Sequence, residues 1–431
     1  MITTHQLDAD AFEALASGFG DAAAVHILRS GQLSRRMLLL RCLLDATDKQ
    51  SVRDSGFHDG LALLTTIQQD HPDVVEDALL HPFLGAWASE CLRALSAHGA
   101  ASMGTRLSYF GALAAVAAIR AEATHDVRLP VDSGAIFLPT RGRLDALQGD
   151  TAQVRVDGGS VSVNGRSAQE NWQHVHLLEA TSGGKHLRLS LDDLDPYRSS
   201  LGEPAGRQSP ERVDHWKRTL SEAWELLVTH HSAHADALSA GLAIITPVDC
   251  APGAVSSSCS VNEAFGAMSA SAYDDPVALA LLMVHEFQHI KLAAIVDLVP
   301  LHDHTHPGLF HAPWRPDPRP LGALLHGVYA HLGVVDFWRV QRTVDDAEHS
   351  HYEFALWREL TTLALPQLSD HPGLTDEGRR LVTGIAGTVA DWQADEVPSS
   401  IALRAHKDAL AKSAAWRERT GLTTVHGAMV S

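Results

Sequence analysis

The chain has 431 residues, 45% apolar and 20% charged, a composition that builds a large folded core and has room for two or three domains. Its formal net charge of −18, with no basic run, argues against a nucleic-acid-binding surface. No stretch reads as a bilayer span or a signal segment, and Cys42, Cys91, Cys250 and Cys259 lack C-x-x-C spacing, so the expectation is a cytoplasmic protein with no membrane partner.

Residues 1–125 read as a helical region. Apolar residues recur at three- and four-residue intervals over Ala11–Ala16, Ala22–Leu28, Leu33–Leu44 and Ala86–Ala97, and Ala101–Ala123 continues in an alanine-rich style. No catalytic constellation stands out there. Texture changes at Asp126, opening a β-rich module over 126–205. Val154–Val156 and Val161–Val163, joined through Gly158-Gly159, predict a hairpin, and Val175–Leu178 and Leu187–Leu191 predict strands around Gly183-Gly184. The Asp192–Arg198 run reads as a connection. Residues 206–431 then form the third region. Ser209-Pro210 opens a helix expected to reach about Ala240, followed by strands at Gly241–Pro247 and Val261–Ser271. The small residues around Gly266 make the second of these a candidate edge strand for docking an extended peptide.

The strongest chemical signal comes next. Asp274 and Asp275 are cap candidates, Pro276 suits a first helical position, and the apolar run that follows carries His285-Glu286-Phe287-Gln288-His289. His285 and His289 fall one turn apart on one helix face, the spacing that lets two imidazoles share a cation. Asp297–Leu301 ends this helix. His302, His304 and His306 follow in a loop that reads as exposed, with ligation the alternative. Prolines at 313, 316, 318 and 320 then fix an irregular path that presents Arg315 and Arg319, whose guanidinium forks suit a carboxylate. A helix over Leu321–Arg342 carries His326 and His331, which project about 140° apart, so only one of them completes a three-histidine set. Helices resume from Tyr352 to Trp416.

Two chemistries suit such a helix. A zinc peptidase would use Glu286 as general base; a non-haem iron oxygenase would leave room for a bidentate cosubstrate and O2. Neither H-E-x-x-H-x-x-G-x-x-H nor a downstream glutamate helix of the usual peptidase kind is present. A third, non-enzymatic alternative is a peptide-binding protein with a structural metal.

The string His285–Leu292, with Asp297–Leu301, Ala264–Met268, Ala312–Pro320, His326–Gly333 and Asp193–Arg198, resembles the HExxH-motif peptide-modification family. The likeness spans roughly residues 190–345. That family accompanies ribosomally made, post-translationally modified peptides. The resemblance implies an α+β chain with a zincin-like domain that uses Fe(II), 2-oxoglutarate and O2 to hydroxylate the β-carbon of a residue in a precursor peptide. It implies His285 and His289 as metal ligands with His331 or His326 as the third, zinc being the metal of an inactive or peptidase form. Arg315 or Arg319, or Lys291 instead, would meet the cosubstrate carboxylate. Glu286 is left as base, supporting partner or vestige.

Overall fold

Helix starts in this chain are marked by capping side chains. Asp8, Asp21, Ser209, Asp275 and Thr375 each accept a hydrogen bond from a backbone N–H in the first turn that follows, where no intrahelical partner exists. The computed structural model describes residues 7–47, 55–98, 103–167, 172–249, 257–421, 423–425 and 428–430. The amino-terminal region forms α1 (Ala9–Ala16), α2 (Ala22–Ala46), α3 (Phe57–Asp70), α4 (Pro72–Leu79), α5 (Pro82–His98) and α6 (Gly104–Arg120). Strands β1 (His125–Pro130), β2 (Ile136–Leu138), β3 (Gly142–Leu144), β4 (Thr151–Asp157), β5 (Ser160–Val163), β6 (Arg166–Ser167), β7 (Trp172–His174), β8 (His176–Ser182) and β9 (Lys185–Leu191) follow. Then come α7 (Pro210–His230), α8 (Ser232–Gly241), β10 (Ile244–Pro247), β11 (Ser258–Cys259), β12 (Ala267–Ala270) and α9 (Pro276–Leu298). Next are β13 (Leu309–Phe310), β14 (Arg319–Pro320), α10 (Leu321–Asp345), α11 (Glu348–Ala364), α12 (Asp376–Asp391), α13 (Ser399–Thr420), β15 (Thr423–Val425) and β16 (Ala428–Val430). The chain is therefore mixed α+β, mainly helical with several small sheets.

Glycine supplies the turns where the backbone must turn left-handed. Gly158 and Gly159 (φ 52° and 81°) join β4 to β5, and Gly183 and Gly184 (φ 53° and 77°) join β8 to β9. One sheet organises the whole. Its order is β11-β12-β10-β9-β8, with β10 parallel to both neighbours. Because successive residues of a strand face opposite sides, Ile245 and Met268 enter one hydrophobic core while Ile244 and Ala267 enter another. The first core gathers α7, α9, α10 and α12 together with α1 and the start of α2; the second gathers α3, α5 and α6 with β1 and β4.

Several expectations need correction. The peptide-docking strand does not form as read. Residues 261–266 run through turns, Gly266 is left-handed (φ 89°), and the strand is confined to Ala267–Ala270. It is internal, paired with β10 on one side and β11 on the other, so its edges are already taken. The helix opened by Pro210 breaks at His231 into α7 and α8. The periodic stretches Ala22–Leu28 and Leu33–Leu44 belong to the single helix α2. Finally, α9 is by length and composition apolar enough to cross a membrane, although 72% of its most apolar window is buried inside the fold. Cys250 lies outside the described residues; Cys42, Cys91 and Cys259 are free thiols.

Candidate functional site

Helix α9 is apolar nearly all round, the pattern of a helix enclosed by protein, and it packs against α2, α7 and α10. Helix α10 comes unusually close to it. A Cβ on Gly333 would stand 2.7 Å from Cγ of Gln288 and 3.1 Å from Cγ1 of Val284, so only glycine permits this spacing. Val284 and Gln288 are the chain neighbours of His285 and His289. The close approach therefore sets where the α9 histidines stand relative to those of α10.

Four imidazoles gather on one side of this helix pair. The His285 ring centroid lies 4.9 Å from that of His289 and 5.0 Å from that of His331, while His289 stacks at 6.1 Å on His326. Two imidazoles bound to one cation at metal–nitrogen distances near 2.1 Å have centroids roughly 4.5–5.2 Å apart. Both pairs that contain His285 meet this spacing; the His289–His326 pair exceeds it. Among the described residues, no three histidine, cysteine or acidic side chains stand together as a group that could hold a metal ion. The arrangement is two adjacent pairs sharing His285.

Electrostatics suit metal ligation. Burial pushes His285 and His326 down to about 4 and His289 to about 3, the latter with His285 as second cause, and it holds His331 well below the usual imidazole range. All four rings are neutral at pH 7, the form that carries a free nitrogen lone pair. His331 is the most firmly held. Its Nδ1 lies 2.8 Å from the Gly327 carbonyl oxygen, fixing Nδ1 as the donor and leaving Nε2 unprotonated. Its ring is clasped between Trp314 and Trp357, at 4.2 and 4.7 Å with planes tilted 25° and 26°. Trp314 in turn sits on Gly327, where a Cβ would come within 2.6 Å of the indole.

The histidines open onto a cavity of about 600 Å³. Arg315, Arg319, Trp314 and Asn262 contribute to its wall, as do His302, His304 and His306 of the loop read as exposed. Arg315 Nε and Arg319 Nη1 both reach Asp317, at 3.2 and 2.9 Å, and this shared carboxylate holds the two guanidinium groups side by side. Lys291 is elsewhere. It is buried, its Nζ donates to the carbonyl oxygens of Gly18 and Phe19 at 3.2 and 2.5 Å, and burial lowers its pKa to about 7. It staples the α1–α2 connection to α9, which removes it as a partner for a ligand in the cavity.

Glu286 is buried on a different side of α9 from the cavity. Its carboxylate accepts hydrogen bonds from Ser258 Oγ at 2.7 Å and Ser260 Oγ at 2.8 Å, and it is not part of the cavity wall. The serines were invisible as functional residues in the sequence, because nothing in a serine-rich loop says which acid it will hold. The clasp of Trp314 and Trp357 about His331 was equally hidden, since Trp357 comes from a helix 26 positions downstream. No protein-family model matches the chain, and no curated protein matches it.

Proposed function

We propose that the chain is an Fe(II)- and 2-oxoglutarate-dependent hydroxylase with a zincin-like metal domain, acting on the β-carbon of a residue in a ribosomally made precursor peptide. The observation that carries this reading over hydrolysis is the placement of Glu286. A general base must reach the water it deprotonates, yet this carboxylate faces two serine hydroxyls and is absent from the cavity wall. The paired arginines on the same wall as the histidines suit a dicarboxylate, as oxygenation with this cosubstrate requires.

His285, His289 and His331 are assigned as the ligands, with His331 favoured over His326 by its 5.0 Å spacing from His285 and its free Nε2. Bound iron would supply the redox chemistry that puts one atom of O2 into a C–H bond and the other into 2-oxoglutarate, which leaves as succinate and CO2. The chain's part is positional. Arg315 or Arg319 binds the distal carboxylate of the cosubstrate, the tryptophan clasp fixes His331, and the Ser258–Ser260 pair locks Glu286 away from the reacting groups.

The test is anaerobic loading with Fe(II), followed by air, 2-oxoglutarate and peptide, with succinate and peptide mass as readouts. Succinate with one oxygen added to an intact peptide is the expected result. Two shorter fragments, formed with zinc and without 2-oxoglutarate, would establish the peptidase instead.

A further inference from the structure

The proline-rich segment that brings Trp314, Arg315 and Arg319 to the histidine cavity has little of its own to hold it. Pro313, Pro316 and Pro318 have no N–H to donate. Among the described residues, its own backbone bonds are the short pairing of β13 with β14 (Leu309↔Pro320, Phe310↔Arg319) and a 2.9 Å bond from the Arg315 N–H to the Ala312 carbonyl oxygen. Its place must therefore be set from outside.

Gln367 supplies the firmest hold. It is buried at the end of the 3-10 turn Leu365–Gln367 that follows α11. Its Oε1 accepts from the His311 N–H at 2.9 Å, and its Nε2 donates to the His311 carbonyl oxygen at 2.8 Å. An opposing residue in an antiparallel ladder makes this same two-way exchange, so a side-chain amide here stands in for a strand. Helix α13 adds two supports. Trp416 packs on the His311 ring at 4.4 Å, and Arg419 Nη1 donates to the Pro316 carbonyl oxygen at 3.2 Å. Gln367, Trp416 and Arg419 are not part of the cavity wall, whereas the arginines that follow His311 are, tied together through Asp317.

We infer that Gln367 is a positioning residue for this arginine pair: by clamping the main chain of His311 it sets where Arg315 and Arg319 stand relative to the histidines. The inference rests on the reading that the pair binds the distal carboxylate of 2-oxoglutarate. Removing the amide leaves a buried N–H and a buried C=O of His311 without partners, so the segment loosens, while α9 and α10 keep the contacts that hold the histidines.

The test uses the full chain loaded with Co(II), as wild type, Gln367→Met and Arg419→Gln. Methionine keeps the bulk of Gln367 and loses both bonds; Arg419 is exposed, so its replacement spares the core. Calorimetry measures 2-oxoglutarate binding, chelator competition measures Co(II) binding, and mass spectrometry follows hydrogen exchange over 309–320. Gln367→Met should bind 2-oxoglutarate at least about fivefold more weakly and Arg419→Gln about twofold, with Co(II) affinity within about twofold of wild type and the Co(II) absorption spectrum unchanged. Exchange over 309–320 should quicken at least about tenfold in Gln367→Met, with α9 unaffected. Unchanged exchange in that segment, unchanged 2-oxoglutarate affinity, or equal losses of 2-oxoglutarate and Co(II) affinity would overturn the inference. Should Gln367→Met fail to fold, Arg419→Gln decides by the same criteria. A wild-type chain that binds Co(II) but no 2-oxoglutarate would remove the hydroxylase reading instead, and the exchange comparison alone would then decide whether Gln367 holds the segment.

Discussion

Replacing Gly333 by alanine tests whether the α9–α10 spacing, rather than the histidines alone, makes the proposed metal site. The added Cβ would stand 2.7 Å from Gln288 Cγ, where carbon atoms pack best at about 3.5–4.0 Å. Gln288 cannot swing aside freely, because it is buried and its Nε2 donates to the Gly18 carbonyl oxygen at 2.7 Å. The helices must therefore part by about 1 Å to restore contact distance. Overpacking of this kind costs about 1–3 kcal/mol, while alanine in place of glycine inside a helix gains about 1 kcal/mol. The net loss in stability is thus about 0–2 kcal/mol, a modest fall in melting temperature. Metal binding should suffer more, since ligand distances tolerate only about 0.2 Å of error, and at least a tenfold weaker Kd is expected, about 1.4 kcal/mol or more. Gly387→Ala is the control: it lies in α12, nothing stands within 4 Å of its Cβ position, and it should gain the helix term without touching the site. Thermal unfolding and chelator-competition titration of both variants decide the matter. Wild-type metal affinity in Gly333→Ala would refute the claim that this contact sets the ligand geometry.

Metal at a hundred times its Kd should raise stability by about 2.7 kcal/mol, and His285→Ala should erase that gain while the metal-free proteins melt together. Glu286→Gln should lower hydroxylation less than about tenfold, whereas a general base would cost about 10²–10⁴, so single-turnover rates discriminate the two. Arg319→Ala should weaken 2-oxoglutarate binding about tenfold or more, and Asp317→Asn, by releasing both arginines, should tighten it, as calorimetry with metal-loaded protein would show. His231, stacked on Phe337 at 4.3 Å with neither ring nitrogen hydrogen-bonded, is lowered by burial to about 4. Its folded value lies below the unfolded 6.5, so the stability it contributes is complete above pH 6.5 and is lost as pH falls towards 4, about 3 kcal/mol in all. Urea unfolding should show His231→Phe losing less stability over that interval than the wild type, and parallel losses would remove His231 from the account.

What could be read in the sequence was local. The cap at Asp275 with Pro276, the Ser209-Pro210 start, and the Gly-Gly turns at 158–159 and 183–184 each depend on a few adjacent residues, and each forms as expected. The misreadings concern contacts made at long range. Gly31, between the periodic stretches Ala22–Leu28 and Leu33–Leu44, is buried inside α2, where a Cβ would lie 2.7 Å from Leu298 Cδ2 at the end of α9. Its lack of a side chain serves the meeting of two helices, which spacing along one helix does not reveal. The smallness of Gly266 likewise serves a long-range contact rather than an incoming strand. Its positive φ makes a turn, and its missing Cβ clears the Gly241 carbonyl oxygen by a distance that would otherwise be 2.9 Å.

The same distinction explains the candidate site. The one-turn spacing of His285 and His289 follows from helix geometry alone, so the motif was visible. Which α10 histidine joins them depends on how α10 is rotated against α9. That rotation is fixed by Gly333 beneath Gln288, by Trp314 on Gly327 and by Tyr329, whose hydroxyl donates to the Leu15 carbonyl oxygen at 2.7 Å. The last contact brings the amino-terminal helices into the matter. Gln288, Lys291 and Tyr329 all donate to carbonyl groups between Leu15 and Phe19, so the connection from α1 to α2 is gripped by both histidine-bearing helices. The amino-terminal stretch, which shows no chemical residue pattern of its own, therefore serves the site as a buttress.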